Sequence, residues 1–202
     1  KRLREAVDAL WDLFEQHPDE DKWLVKLETL YRQIGDVHAA KQVAELSAAI
    51  SGRSCAGRLR RPTKFSGKKI KRIALLAVKP LARSKKIARA IKHFGAEVIY
   101  IHPEAFKMHT WDWCDRQYTY TTLSSLRKIL LRVQTECAPD IYHAFCDGYG
   151  YIETIVSMNL LPVPVIWDYY DLINVTFTLD KSPEYRIHAN LEKWCMREAD
   201  AI

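Results

Sequence analysis

"RIALLAVKPLARSKKIARAIKHFGAEVIYIH", residues 72–102, is the stretch whose reading decides the fold. After its arginine it opens with a continuous apolar run, as a strand covered on both faces requires. A helical period follows, with Ile87, Ile91 and Phe94 on one face, Ser84 placed to cap the start and Gly95 just past the end. "EVIYIH", residues 97–102, is a second apolar strand. Strand, helix and strand in close succession predict a βαβ unit, and that unit implies a parallel sheet.

The alternation continues. A longer helix carries Leu126, Ile129, Leu130, Val133 and Cys137 at helical spacing and leads through Ala138 and Pro139 into the strand "DIYHAF", residues 140–145. A helix over about 151–159 leads to "VPVIWDYYDL", residues 163–172, another buried strand ending in carboxylates. A last helix with Ile187, Leu191, Trp194 and Cys195 ends at "ADAI", where a further strand is expected to begin. Residues 70–202 therefore predict an α/β, Rossmann-like, doubly wound parallel sheet. Trp111, Trp113 and Tyr118 are assigned to a loop, packing down or shaping a binding wall.

Residues 1–50 carry no strand signal and predict helices. Ala6, Leu10, Leu13 and Phe14 share one face of a helix that stops at His17 and Pro18. Leu24, Leu27, Leu30 and Tyr31 follow on a second helix, then a turn at Gly35 and Asp36, then a third helix through Ala40, Val43 and Ala44. Ala6 and Ala40 stand 34 positions apart, the tetratricopeptide period. This segment resembles the tail of a tetratricopeptide array. Repeats of that kind bury their core against stacked neighbours, so further sequence is expected upstream.

Residues 51–69 predict a linker by their glycines, serines and proline. Arg53, Arg58, Arg60, Arg61, Lys64, Lys68 and Lys69 make it basic, and Lys71 and Arg72 prolong the run. A solvated connector is the first reading of such a run, and an anionic membrane surface and nucleic acid both suit it as well. With only Phe65 interleaved, base stacking is poorly served and nucleic acid is the weaker of the two readings.

The chain has 202 residues, a net charge of +6 and nearly half its residues apolar, enough for one domain and an appendage. Its five cysteines form no CxxC pair, which fits a reducing compartment without a disulfide framework. "LLPVPVIW" is too short and too rich in proline to cross a bilayer. The expected location is cytoplasmic, peripheral on the cytoplasmic face of a membrane if the linker binds lipid.

The predicted strands end in chemistry. "IYHAFCDGYG", residues 141–150, brings His143 and Asp147 to a strand's carboxyl end, and the next strand ends in Asp168, Tyr170 and Asp171. Strands joined by one helix tend to lie side by side, so these ends are expected to share a ligand crevice. Carboxylates accept pairs of hydroxyl hydrogen bonds, and a neutral imidazole donates one and accepts another, which suits a polyhydroxylated ligand. Arg83, Lys85 and Lys86 open the first helix and are placed to meet a phosphate or an anionic acceptor. "AVKPLARSKK" contains no glycine, so the dinucleotide fingerprint is absent. His102, His109, Asp112 and Asp115 have no zinc-like spacing, and no metal site is predicted.

"IALLAVKPLARSKKIARAIKHFGAEVIYI", "APDIYHAFCDGYG", "VPVIWDYYDL" and "LEKWCMREADAI", in that order, resemble the N-terminal domain of a GT-B-fold glycosyltransferase of the glycosyltransferase 4-like group. His143 matches the first histidine of that group's "HaHd" pattern, and Asp147 lies one place beyond its acidic position. Asp168 and Asp171 match the acidic positions of "DsHE", and Glu192 matches the glutamate before "ADavi". Phe145, Tyr170 and Ser84 depart from the group, standing where a histidine, a histidine and an acidic residue are usual. The resemblance implies transfer from a nucleotide-sugar donor to a glycan or lipid-linked acceptor, with no resident cofactor or metal. It implies His143 and Asp171 as catalytic residues, and Asp147, Asp168, Tyr170, Arg83 and Lys86 as substrate-binding ones. It also implies a donor-binding domain beyond Ile202, without which these residues transfer no sugar. The competing expectation is a non-catalytic module that binds a protein partner through the tetratricopeptide-like helices, with the α/β domain as support.

Overall fold

The computed structural model describes residues 2–17, 20–51, 69–78, 82–106, 112–146, 151–169, 189–193, 195–196 and 199. The chain divides into two compact units, one of Lys1–Gly57 with Leu172–Arg197 and one of Arg58–Asp171 with Glu198–Ile202.

In the first unit, α1 (Arg2–Gln16) packs on α2 (Lys22–Ile34), and α2 packs on α3 (Val37–Ser51). The buried line of α1 is Val7, Trp11 and Phe14, while Ala6, Leu10 and Leu13 are half-buried. The helix is thus turned by about one residue from the predicted face. The indole of Trp11 is the largest apolar surface on α1, and its Nε1–H donates to the Tyr31 hydroxyl of α2 at 3.0 Å. On α2, Leu24, Leu27 and Tyr31 are buried as their spacing predicts. Gly35 ends that helix at φ +86°, a left-handed conformation that costs a side-chain-bearing residue strain. Asp36 then accepts from the Ala39 amide at 2.9 Å and caps α3, whose Ala40 and Val43 are buried. Residues 189–193 are helical, and Leu191, Glu192 and Cys195 are buried.

In the second unit, β1 (Arg72–Ala77), α4 (Ala82–His93) and β2 (Glu97–Pro103) form the predicted βαβ unit. A 3-10 turn, Glu104–Phe106, precedes β3 (Arg116–Tyr120), and α5 (Leu123–Cys137) leads to β4 (Ile141–Cys146). Then come α6 (Tyr151–Leu160) and β5 (Val165–Tyr169). The five strands are all parallel, in the order β3-β2-β1-β4-β5. From β1 the chain winds outward to β2 and β3, then returns to β4 and β5 on the other side. That is a doubly wound, Rossmann-like sheet.

Each face of the sheet has its own cover. Ala88 of α4 packs with Leu75, Ala77, Val98, Tyr100, Trp113 and Phe145 on one face. On the other, the Tyr142 hydroxyl reaches the Leu130 carbonyl of α5, and α6 packs beside α5 against β4 and β5. Leu126, Leu130, Val133 and Cys137 are buried on α5 as predicted, with Ile129 half-buried. Thr122 and Ser125 cap that helix reciprocally. Asp140 ties the starts of β1 and β4 together, its Oδ2 accepting from the amides of Lys71 and Arg72 at 2.8 and 3.0 Å.

Three local expectations are corrected. Ser84 is not a cap: α4 already begins at Ala82, and Ser84 is fully buried inside its first turn. Phe94 does not join the apolar face, since it lies past the last helical residue and is 82% exposed. The turn responsible has Gly95 at φ +79° and the Ala96 amide donating to the Ile91 carbonyl, which peels the chain away from the helical step. Tyr118 is not in a loop but on β3. That strand lies at the sheet edge and most of its residues are only partly covered, so it lacks the apolar signature of its neighbours. Trp113 does pack down, edge-on to Tyr100 with ring centroids 4.7 Å apart. Arg72, read as the end of the basic run, opens β1, and its guanidinium donates to the Cys137 carbonyl.

Candidate functional site

In a doubly wound sheet the strand order reverses at one place, here between β1 and β4. Ligands bind outside the carboxyl ends of strands at such a switch point. Three side chains meet there. Arg83 stands in the first turn of α4, the helix that follows β1. His143 lies on β4 and Asp168 on β5, whose register pairs Phe145 with Asp168 and His143 with Ile166. Residues two apart on a strand share a face, so His143 and Phe145 project together on the side covered by α4.

Asp168 is the hub, with its side chain only 7% exposed. Its Oδ2 accepts from the Nε of Arg83 at 3.1 Å, and its Oδ1 from an Arg83 terminal nitrogen at 2.6 Å. This is a two-pronged guanidinium–carboxylate pair, the geometry in which arginine holds a carboxylate best. The same Oδ2 lies 3.1 Å from His143 Nε2. An ionised carboxylate can only accept, so Nε2 carries the proton. The His143 ring stacks on Phe145, with centroids 4.5 Å apart and planes 11° from parallel.

Burial pushes the Asp168 carboxyl upward, but the hydrogen bonds from His143 and Arg83 and their charges outweigh it and hold it below its ordinary value of 3.8. A depressed carboxylate contributes stability that is present above its unfolded value and is lost as pH falls through the folded one. The stability gap between the wild type and Asp168→Asn is therefore expected to shrink on acidification below about pH 4. Urea unfolding across that range measures it. A gap that widens on acidification would mean the carboxyl is raised instead.

Of the sequence-predicted residues, the structure brings His143, Asp168 and Arg83 into direct contact. Lys86 is exposed one turn further along α4. Asp147, Tyr170 and Asp171 lie outside the described residues, as does the basic stretch 52–68. Sequence reasoning missed two features. Arg83, expected to meet a phosphate, is engaged by Asp168, and Phe145, noted only as a departure, is the wall against which His143 rests. The spacing of His143 and Phe145 on one strand carried the signal for the second. Nothing local announces the first, because the partners are 85 positions apart.

His102, weighed as a metal-flanking residue, is fully buried on β2. Its Nδ1 donates to the Pro103 carbonyl at 2.8 Å, while Nε2 faces the Gln117 amide. Burial lowers its basicity against the opposing carbonyl contact. With both ring nitrogens engaged, it is a satisfied core histidine. Among the described residues no helix is long and apolar enough to cross a membrane. Compared with protein-family models, curated proteins and solved structures, the chain finds no match in any of the three.

Proposed function

We propose that this chain is the acceptor-side domain of a GT-B-type glycosyltransferase, which moves a sugar from a nucleotide-sugar donor to a glycan or lipid-linked acceptor. The observation that carries the reading is the Arg83–Asp168–His143 cluster at the switch point of a 3-2-1-4-5 sheet, in the order of motifs that such enzymes share. In the reaction an acceptor hydroxyl oxygen forms a bond to the anomeric carbon. The bond from that carbon to the phosphate oxygen breaks, and the nucleotide leaves with the electron pair. The acceptor proton passes to a base, for which Asp171 is the candidate where configuration inverts. Asp147 and Tyr170 contact acceptor hydroxyls, and Lys86 lends charge to an anionic group. The basic stretch 51–69 holds the protein to an acidic membrane surface on the cytoplasmic face.

A second reading is favoured by the exposed Leu3, Val25 and Val37 on the helices of the first unit, which are 43%, 53% and 69% accessible. Here those helices bind a protein partner and the α/β unit is a support, with the ion-paired cluster serving only to anchor the fold.

Calorimetric titration with uridine and guanosine diphosphate sugars and with glycan acceptors, beside a turnover assay, separates the two. The expected result is acceptor binding by these 202 residues without transfer, and turnover once a donor-binding domain is joined to them. Tight nucleotide-sugar binding by this chain alone would overturn the acceptor-side reading. Silence towards every sugar, with capture of a protein partner by α1–α3, would favour the second.

A further inference from the structure

We infer that His143 works through Nδ1, presented as a lone-pair acceptor, with Asp168 and Phe145 as the positioning residues that hold it so, and that the group it meets is a ligand hydroxyl rather than a phosphate. The inference rests on the reading of this cluster as a ligand site and names the chemistry that the site takes.

A neutral imidazole has one N–H, and the facing carboxylate claims it at Nε2 over 3.1 Å. Nδ1 is left with its lone pair, and no described residue hydrogen-bonds to it. A lone pair attracts an O–H and repels a phosphate oxygen. His143 is therefore not placed to donate to a phosphate, because Asp168 already uses the proton that such a role needs.

Two further constraints make the arrangement rigid. The guanidinium of Arg83 grips both oxygens of Asp168, at 3.1 and 2.6 Å, so the carboxylate cannot swing away from the ring. Phe145 lies flat against the imidazole, within 11° of parallel, and resists tilting out of plane. The hydrogen bond fixes the ring in its plane, and the stack fixes the plane itself. The His143 side chain is still 16% exposed, so solvent or a ligand reaches it. A carboxylate that selects one tautomer and orients the ring is how an imidazole is prepared to act at its other nitrogen.

Nitrogen-15 spectra of histidine-labelled protein at mildly alkaline pH test this, with the His143 signal identified by its loss in His143→Gln. The wild type should show one tautomer, protonated at Nε2 and bare at Nδ1. Asp168→Asn, whose amide can either accept or donate, should show a mixture, and Phe145→Leu should broaden the signal while keeping the tautomer. Titration with methyl glucoside should move the Nδ1 resonance, and inorganic phosphate should not. A proton at Nδ1 in the wild type, a response to phosphate alone, or a response to neither probe would overturn the inference. The tautomer is read without any turnover. An Nε2–H ring in a chain that transfers no sugar even when joined to a donor-binding domain would sink the proposed function and leave the positioning intact, whereas Nδ1–H in an active transferase would sink this inference alone.

Discussion

Trp11→Ala is expected to cost about 3–5 kcal/mol, the largest stability effect of any substitution considered in the helical unit. The indole is fully buried, meets Phe14 edge-on at 5.9 Å and donates to Tyr31 at 3.0 Å. Truncation removes its transfer free energy, opens a cavity between α1 and α2, and leaves the Tyr31 hydroxyl without that donor. Trp11→Phe separates the contributions in part, because it keeps most of the apolar volume while losing the hydrogen bond and a portion of the ring system, at about 1–2 kcal/mol. Urea unfolding followed by helical circular dichroism reads both. If alanine costs less than about 1 kcal/mol, the seam between α1 and α2 is not organised around Trp11.

If the chain is the acceptor-side half of a transferase, as proposed, His143→Ala is expected to lower sugar transfer about a hundredfold or more, the scale of a lost proton-accepting group at the reacting atoms. The fold should survive the change. Asp168 keeps both prongs of Arg83, and the loss is one hydrogen bond to a charged group and one ring stack, about 1–3 kcal/mol. Initial rates of this chain joined to a donor-binding domain, beside a thermal melt, give the answer. A variant that unfolds would show His143 to be a core histidine, and one with normal turnover would remove it from the reaction.

These two sites differ in how far they can be read from the chain. The face of α1 was missed by about one residue, although its helix and its stop were legible. A run such as "AVDALWDLF" supports two adjacent apolar stripes, and which one turns inward depends on the partner helix, where Tyr31 waits for the indole. The His143 cluster was half legible. Two strands joined by one helix pair side by side, which brought His143 and Asp168 together as expected.

By itself the sequence determined the alternation of strand and helix, the parallel sense of the sheet and the carboxyl ends at which polar groups gather. Each of these follows from apolar periodicity and from turn residues, which act over a few positions. Tertiary structure alone decided that a partly covered segment, 116–120, becomes the edge strand β3, since its edge position lets its side chains remain only partly covered. It alone decided that Phe94 turns outward, because the left-handed turn at Gly95 breaks the helical step. It alone decided that Arg83 closes on Asp168 across 85 positions and that His143 meets that carboxylate through Nε2. Charge pairing at that range leaves no periodic trace in the chain: it exists only once β1, β4 and β5 lie side by side and α4 begins above them.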